Sequence, residues 1–322
     1  MIFFLIKPPF PLLSPSAKTP LMISDPDRDL LPLIRSNAPD PKKPLPAVRL
    51  ELSAFYREMQ EEAFSDGDYQ VERANMKEGP ACYWITLPGI PSDRVILFFH
   101  GGGFTTGSTD DHLGLCIRLA RAANVQVLSV DYRLAPEHPF PSAIEDAVSA
   151  YRYLTGSGIH PHRILPVGIS TGGTLVLSLL LSLRDKNYPL PLAGCCMSPM
   201  TSMIFEGESV TKNRNRDWMT IERLHAISTS YMTGRDLRDP LASPFFASMS
   251  GLPRLFVQAG THELLASDIA AFVEKARWSG VPVQAEVWEG MFHCWQIFAG
   301  QISEGSEAVE HLGNFAREVL SR

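Results

Sequence analysis

From about residue 95 onward, the chain alternates short, almost wholly apolar runs with longer amphipathic segments. The short runs are typical of strands buried on both faces of a parallel sheet, and the longer segments repeat apolar residues at helical spacing. The short runs predict strands at residues 95–99, 125–130, 164–167, 192–197, 255–258 and 283–288. The longer segments predict helices at residues 142–154, 171–184, 267–278 and 306–320. This alternation indicates an α/β fold with a mostly parallel sheet covered by helices on both faces.

The N-terminal part of the chain follows a different pattern. Prolines recur between residues 8 and 46, which predicts a mostly extended lead-in without long helices. A helical apolar face then runs from Val48 to Phe64. After a short polar turn, the pattern predicts strands at residues 70–76 and 81–87.

One stretch inside the alternating region also breaks the pattern. Residues 198–251 are rich in methionine, charged and aromatic side chains, with one helical segment at 221–232. We expect this insertion to fold over the edge of the sheet together with the N-terminal helix. The chain therefore divides into an N-terminal extension with its helix, one main α/β domain and an insertion, at residues 1–65, 66–200 with 250–322, and 201–249.

Composition and charge narrow the class of protein. Hydrophobic residues make up 45% of the 322 residues and charged residues 20%, as in ordinary globular proteins. The net charge of −6 gives no basic surface for nucleic acid or an anionic membrane. Five cysteines without C-x-x-C spacing predict buried thiols of a reducing compartment, so we expect a cytoplasmic protein.

The apolar N-terminus does not predict export. The run from Met1 to Ile6 is short and lacks a basic flank, and no run in the chain approaches the length of a transmembrane helix. Met22 opens a more ordinary start, so the residues before it are either an extension or a start-site artefact.

A serine occupies a predicted sharp turn between a strand and a helix. Ser170 lies in the sequence Gly168-Ile169-Ser170-Thr171-Gly172, directly after one apolar run and directly before another. Only neighbours without side chains leave room for so tight a reversal. The turn would expose the hydroxyl at the carboxyl edge of the sheet, beside a helix N-terminus that favours negative charge.

A glycine-rich loop follows the strand predicted at residues 95–99. Three consecutive glycines after His100 expose backbone N–H groups. The amides of Gly101 and Gly102, with that of Thr171, can hold the oxyanion of an acyl-transfer intermediate. A phosphate-binding loop is the alternative, but neither G-x-G-x-x-G nor a P-loop lysine is present.

Two further side chains follow later strands of the predicted sheet. Glu263 comes after residues 255–258, and His293 comes after residues 283–288. Taken alone, Glu263 is equally an acid at the start of a helix, and His293 is more typical of a packed core residue. The order Ser170, Glu263, His293 is nevertheless that of the α/β-hydrolase triad, and the carboxyl ends of parallel strands meet at one crevice.

Rival candidates have less support. Asp268 lies inside the following predicted helix, where we expect it to face solvent. His160 and His162 suggest a metal site, but no third ligand is evident and a solvated loop is expected instead. The remaining histidines show no comparable arrangement: His100, His112, His138, His225, His262 and His311.

Four motifs resemble those of the hormone-sensitive-lipase-like carboxylesterases, bacterial family IV of the α/β-hydrolase fold. They lie at residues 100–103, 131–141, 168–173 and 290–293, and the resemblance runs from about residue 70 to the C-terminus. It implies a catalytic domain with a helical cap built from the N-terminus and the insertion. It also implies a serine carboxylesterase that acts on short- to medium-chain esters through an acyl-enzyme, without a metal or an organic cofactor.

The resemblance implies a role for each site residue. Ser170 would be the nucleophile, His293 the base and Glu263 the acid, with the amides of Gly101, Gly102 and Thr171 as the oxyanion hole. The family turn usually reads Gly-Asp-Ser-Ala-Gly, so Ile169 removes a carboxylate beside the nucleophile. Thr171 replaces the alanine but keeps its N–H, so we expect a steric effect at most. Glutamate is a known variant of the more common aspartate at the acid position.

The substrate is less defined by the sequence. Methionine and aromatic residues of the insertion, Met203 and Met219 among them, suggest small acyl groups on a hydrophobic alcohol, or equally form the core of the cap. The candidate substrate contacts are Phe104, Met200, Phe205 and Trp218.

Two alternative functions use the same fold. The glutamate at 263 and the run at residues 288–293 also resemble lactone hydrolases, whose substrates demand the same attack. The plant gibberellin receptors bind a small hormone on this fold and have lost the histidine, whereas His293 is present here. Members of the family often dimerise, so a homodimer is possible, but nothing in the sequence indicates the surface.

Overall fold

The computed structural model describes residues 30–37, 43–60, 63–64 and 67–321. The predictions for Met1 to Ile6, for the start at Met22 and for most of the proline-rich lead-in lie outside the described residues. Where that lead-in is described, it contains a short helix, α1 (Leu31–Ser36).

Eight strands form one sheet in the described part of the chain. They are β1 (Gln70–Arg73), β2 (Ala81–Thr86), β3 (Val95–Phe99), β4 (Gln126–Asp131), β5 (Ile164–Ile169), β6 (Ala193–Met197), β7 (Arg254–Gly260) and β8 (Val283–Trp288). Their order across the sheet is β1-β2-β4-β3-β5-β6-β7-β8. Strand β2 runs antiparallel to both of its neighbours, and the pairs from β4 through β8 are parallel. The predicted mostly parallel sheet is therefore confirmed.

Strand β3 shows why the central apolar runs become strands. Every side chain of Val95–Phe99 is buried, and the strand pairs in parallel with β4 on one side and β5 on the other. A strand covered on both faces needs a continuous apolar run rather than an alternating one. The parallel pairing brings the carboxyl ends of β5, β6, β7 and β8 to one edge of the sheet.

The helices pack around this sheet. They are α2 (Leu45–Met59), α3 (Leu113–Ala123), α4 (Ser142–Gly156), α5 (Thr171–Asp185), α6 (Ser209–Lys212), α7 (Ile221–Met232), α8 (Ala266–Trp278) and α9 (Ser303–Leu320). The predicted helices are present, with ends shifted by a few residues. Helix α3 was not predicted from the sequence; eight of its eleven residues are buried. None of the helices in the described ranges is both long and apolar enough to cross a bilayer.

The N-terminal helix is shorter than predicted and lies against the glycine-loop side of the sheet. Helix α2 ends at Met59 rather than at Phe64, because the side-chain amide of Gln60 donates to the carbonyl oxygens of Tyr56 and Asp111. Arg49 on the same helix donates to the carboxylate of Glu137. Helices α6 and α7 lie between β6 and β7, where the alternation breaks. The division into three segments at residues 65/66, 200/201 and 249/250 remains a prediction.

Candidate active site

Ser170 lies at the turn between β5 and α5, as predicted. Its backbone has φ +55° and ψ −122°, a conformation that costs energy for a residue with a side chain. A Cβ atom on Gly168 would lie 2.1 Å from the carbonyl oxygen of Gly172, and one on Gly172 would lie 1.9 Å from that of Phe99. Both positions therefore require glycine, and the close packing holds Ser170 in its strained conformation.

Three predicted side chains meet at the carboxyl edge of the sheet. Ser170 Oγ lies 2.9 Å from His293 Nε2, and His293 Nδ1 lies 2.9 Å from Glu263 Oε2. Glu263 is in the loop after β7, and His293 is in the loop after β8. The exposed fractions of the Ser170, Glu263 and His293 residues are 5%, 0% and 1%. The structure thus connects residues 170, 263 and 293 by consecutive hydrogen bonds in a buried position.

Glu263 is held by more than the imidazole. Its Oε1 atom accepts hydrogen bonds from Ser198 Oγ at 2.9 Å and from the Gly260 N–H at 2.6 Å. Each carboxylate oxygen therefore has a donor, which fixes the plane of the carboxylate against the His293 ring. Ser198, the residue directly after β6, was not singled out in the sequence because a lone serine carries no recognisable signal.

The electrostatics of the pair follow from burial and from the short contact. Burial raises the pKa of Glu263, and the hydrogen bond from His293 opposes that rise. For His293, burial works to lower the pKa, but the contacts with Cys294 and with Glu263 outweigh it and hold the pKa above its ordinary value. The imidazole accordingly binds a proton more readily than a free histidine.

A second carboxylate reaches His293 at its backbone. Asp217 is buried, and its oxygens accept from the backbone N–H groups of His293 at 3.1 Å and Leu264 at 2.8 Å. It binds the loop that carries Glu263 to the loop that carries His293, but it does not contact the imidazole nitrogens. Burial raises the pKa of Asp217, and His293 and these backbone donors oppose the rise. Asp217 was not predicted from the sequence, because it lies in the insertion and in no motif.

The glycine loop differs from the prediction in how its amides are used. The Gly101 N–H donates to His112 Nε2 at 3.3 Å, and the Gly103 N–H donates to Thr171 Oγ1 at 3.1 Å. Among the described residues, no acceptor is bonded to the Gly102 N–H. The expectation that Thr171 acts only sterically is therefore wrong, because its hydroxyl is the acceptor for Gly103.

The loop itself is fixed through one carbonyl group. The Gly102 oxygen accepts from the Thr105 N–H, the Thr106 N–H and Thr106 Oγ1 at 3.2, 3.0 and 2.8 Å. Gly102 has φ +122°, and a Cβ atom there would lie 2.1 Å from the Thr106 oxygen. The position of the loop therefore does not depend on the bond between Gly103 and Thr171.

Ser170, His293 and the three glycines line a small cavity of about 20 Å³, which has room for about one water molecule. Helix α2 contributes Tyr56 to its wall. The segment between β6 and β7 contributes four side chains, those of Trp218, Met219, Arg223 and Ile227. Trp218 also donates from Nε1 to the carbonyl oxygen of His293 at 2.7 Å.

The other predicted substrate contacts lie outside this cavity. Phe104 is buried and stacks on Tyr231 with ring centroids 3.8 Å apart. Met200 and Phe205 are buried in the apolar core, as is Met203. Of the four predicted contacts, only Trp218 lines the cavity, because the other three side chains fill space between the sheet and the segment that covers it.

Asp268, His160 and His162, the other residues considered as catalytic or metal-binding candidates, do not line the cavity beside Ser170. Asp268 does not face solvent as expected: its Oδ2 atom is buried, and burial raises its pKa to about 6. His160 and His162 are exposed, and the described residues contain no group of three or more His, Cys, Asp or Glu side chains placed to hold a metal ion.

A larger groove lies elsewhere on the surface. It has a volume of about 280 Å³ and runs between β8 and α9, lined by Glu286, His311 and Phe315 among others. None of the predicted site residues lines it, and its lining contains no serine, threonine or cysteine. The small cavity beside Ser170 is the better candidate for chemistry.

A serine bonded to a histidine that is in turn bonded to a carboxylate is the arrangement of the serine hydrolases. The α/β hydrolase fold family matches residues 96–297 of the chain. An acetyl-hydrolase of Streptomyces hygroscopicus is 39% identical over 235 residues, which cover 73% of this chain and 78% of that protein.

Solved structures of esterases are also similar to this chain. An esterase of the bacterial hormone-sensitive lipase family is 40% identical, with a TM-score of 0.86 over 93% of this chain and all of the other. EstE5, solved after soaking with p-nitrophenyl butyrate, is 35% identical, with a TM-score of 0.83 over 91% of this chain and 98% of the other. The chain belongs to the hormone-sensitive-lipase-like carboxylesterases, family IV of the α/β-hydrolase fold. It is accordingly a carboxylic-ester hydrolase.

Proposed function

We propose that Ser170 is the nucleophile, His293 the general base and Glu263 the acid of this esterase. The observation that carries the assignment is the pair of 2.9 Å contacts that joins Ser170 Oγ to His293 Nε2 and His293 Nδ1 to Glu263 Oε2. Both distances fall in the range needed for proton transfer and for orienting the ring. The same contacts argue against a silent receptor, because the base is present and in reach of the nucleophile.

The reaction proceeds in two halves. His293 Nε2 takes the proton of the Ser170 hydroxyl as Oγ attacks the ester carbonyl carbon, and the carbonyl oxygen becomes an oxyanion. The tetrahedral intermediate collapses, the C–O bond to the alcohol breaks, and His293 gives its proton to the departing oxygen. Water then attacks the acyl-enzyme and loses a proton to His293. The second tetrahedral intermediate collapses, the bond between the acyl carbon and Ser170 Oγ breaks, and His293 returns that proton to Oγ as the acid leaves.

The Gly102 and Thr171 amides are the oxyanion donors that we propose. The Gly102 N–H faces no bonded acceptor among the described residues, and the Thr171 N–H opens helix α5 directly after the nucleophile. Gly101, predicted as a third donor, already donates to His112. Two backbone donors, one from the glycine loop and one at the N-terminus of α5, are sufficient for such a hole.

The insertion and α2 act as a cap over this site. Tyr56 of α2 and Trp218, Met219, Arg223 and Ile227 of the insertion close the cavity beside Ser170, which supports the predicted domain boundaries. Entry of an ester requires these side chains to move apart, because the cavity has a volume of only about 20 Å³, room for about one water molecule.

Short- to medium-chain acyl esters are the substrates that the narrow cavity favours. The name of the Streptomyces relative and the p-nitrophenyl butyrate soaked into EstE5 support this range. A series of p-nitrophenyl esters should give the highest kcat/KM between acetate and hexanoate, and a rise toward palmitate would contradict it. Lactone hydrolysis uses the same attack, so lactones belong in the same panel.

Ser170→Ala tests the assignment. We expect kcat for p-nitrophenyl butyrate to fall by about 10³-fold or more, as loss of a nucleophile does in other triads. Thr174→Ala, one turn further along the same helix, is a matched control because its hydroxyl donates to the carbonyl oxygen of Met200 and not to the triad. Near-normal turnover in Ser170→Ala would exclude Ser170 as the nucleophile.

The compartment, the absence of a nucleic acid partner and the oligomeric state are also proposals. The five cysteines are all free and buried, which supports a reducing compartment such as the cytoplasm, and the overall acidity argues against nucleic acid as a partner. Val287 on the edge strand β8 is 68% exposed and Trp278 is 88% exposed, which supports a homodimer through this edge. Light scattering of the purified protein would show a single-chain mass if that proposal is wrong.

A further inference from the structure

Arg223 is the only lysine or arginine among the residues that line the cavity beside Ser170. It lies in the first turn of α7, which begins after Thr220, whose side chain accepts the Arg223 N–H at 3.2 Å. Its guanidinium lies over the ring of Trp218, 5.5 Å from the centroid. Trp218 donates a hydrogen bond to the carbonyl oxygen of His293. The Trp218 ring therefore lies between the Arg223 guanidinium and the loop that carries His293.

The guanidinium has no acid of its own in the described part of the chain. Other arginines of the protein have one: Arg49 pairs with Glu137 at 2.8 Å, and Arg133 pairs with Asp146 at 2.9 Å. Among the described residues, the Arg223 guanidinium interacts with the Trp218 ring and, electrostatically, with Tyr56. The five N–H donors of this guanidinium, at the wall of the cavity beside Ser170, are therefore left without a carboxylate in the described part of the chain.

The two carboxylates nearest the catalytic residues, Glu263 and Asp217, do not pair with Arg223. Both oxygens of Glu263 accept from other donors, and the oxygens of Asp217 accept from backbone N–H groups. Burial lowers the pKa of Arg223, but a guanidinium keeps its proton at neutral pH. A partly desolvated cation without a counter-ion is costly unless an anion joins it, and Arg presents a fork that matches a carboxylate.

We propose that Arg223 binds a carboxylate of the substrate, so that the preferred esters carry a negative charge in addition to the ester bond. This inference rests on the proposed function of Ser170, because it places the anionic group in the same cavity. It also explains how an anion can approach His293 beside the buried carboxylates of Glu263 and Asp217: Arg223 supplies the opposing charge. The carboxylate belongs to either the acyl or the alcohol portion of the ester.

The test compares charged and neutral esters in matched pairs. For the acyl side, the mono-p-nitrophenyl ester of glutaric acid is paired with p-nitrophenyl pentanoate. For the alcohol side, 3-carboxyphenyl butyrate is paired with phenyl butyrate. The measured quantity is the ratio of kcat/KM for the charged ester to that for its neutral partner, which cancels changes common to both esters.

Arg223→Met should lower that ratio by about ten- to a hundredfold for one of the two pairs, the range for losing a charged hydrogen bond. Arg223→Lys keeps the charge but not the forked geometry, so it should lower the ratio by a smaller factor. Arg223→Glu should reverse the charge preference, so that the cationic ester butyrylcholine is hydrolysed in preference to the anionic esters. Arg238→Met is the matched control: Arg238 also lies over an aromatic ring, that of Phe246 at 5.8 Å, but is exposed and away from the cavity.

The outcomes separate this inference from the proposed function. A ratio that is unchanged in Arg223→Met for both pairs overturns the inference, while hydrolysis of the neutral esters that is lost in Ser170→Ala still supports the nucleophile. An equal loss on charged and neutral esters also overturns it. If Arg223→Met does not fold, the ratio in Arg223→Lys decides, and a wild-type value there contradicts the role of the fork. If the wild-type protein hydrolyses none of the four esters, that result contradicts the proposed function rather than the role of Arg223 alone.

Discussion

Two regions of the molecule form the cavity beside Ser170. One is the set of loops that follow β5, β7 and β8, and the other is the segment between β6 and β7. The three loops bring Ser170, Glu263 and His293 into one hydrogen-bonded series. The segment contributes walls and supports, including Trp218 against the carbonyl oxygen of His293. We infer that the sheet-edge loops carry the chemistry and that the segment carries substrate discrimination and the support of the loops. Substitutions in the two regions should therefore fail in different ways.

The largest loss of kcat is expected at Glu263, the carboxylate of the sheet-edge loops; Asp217 is the corresponding carboxylate of the segment. Glu263→Gln should lower kcat by about 10²- to 10⁴-fold with little change in KM, because an amide cannot stabilise the charged imidazole and can favour the wrong tautomer. Steady-state kinetics on p-nitrophenyl butyrate measure this. A loss of less than about tenfold would mean that Glu263 is not the acid.

The pH profile is the next test of the same loops. The pKa of His293 is held above its ordinary value, so the neutral base is lost at a higher pH than for a free histidine. As pH falls through that pKa, kcat/KM should fall about tenfold per unit, with a midpoint above 6.5. In Glu263→Gln the midpoint should move down, because the carboxylate no longer favours the charged ring. A midpoint below 6.5 in the wild-type protein would contradict the stated cause.

Asp217 tests the supporting role of the segment. Asp217→Asn keeps one acceptor oxygen but loses the charge that holds the backbone N–H groups of His293 and Leu264. We expect the free energy of unfolding to fall by about 1–3 kcal/mol and kcat to fall by about tenfold. Urea unfolding and kinetics on the same preparation measure both. A larger loss of kcat than in Glu263→Gln would reverse the assignment of the two carboxylates.

Thr171 gives the smallest expected effect. Thr171→Val removes the acceptor for the Gly103 N–H while Gly102 keeps the loop in place, so a further donor becomes available to the oxyanion. We expect kcat to rise by severalfold, less than a full oxyanion donor contributes, with KM unchanged. Thr171→Ser keeps the hydroxyl and should behave as the wild-type protein. A fall in kcat for Thr171→Val would show that the hydroxyl orders the loop.

The comparison also explains what the sequence could predict. Strands such as β3 are buried on both faces, so their apolar runs are continuous and recognisable. The turn at Ser170 is recognisable because packing requires glycine at 168 and 172. Both signals are local, and a parallel sheet then brings the following loops together without any further information.

The features that were missed depend on contacts between distant parts of the chain. Asp217, in the segment between β6 and β7, accepts from the backbone N–H of His293, and Arg223 lies over the Trp218 ring at the wall of the cavity. Neither residue lies in a motif. Phe104 shows the opposite case: an aromatic residue beside the glycine loop suggests a substrate contact, whereas in the structure its ring is buried and stacks on Tyr231. Local pattern cannot tell a residue that fills the core from one that lines a cavity.

Covalent labelling tests the central claim most directly. A fluorophosphonate probe should modify one residue of the folded protein, and peptide mass spectrometry should place the adduct on Ser170. In His293→Ala the labelling rate should fall by about 10²-fold or more, because the hydroxyl has lost its base. An adduct on a different residue, or labelling of Ser170 at the same rate without His293, would contradict the account.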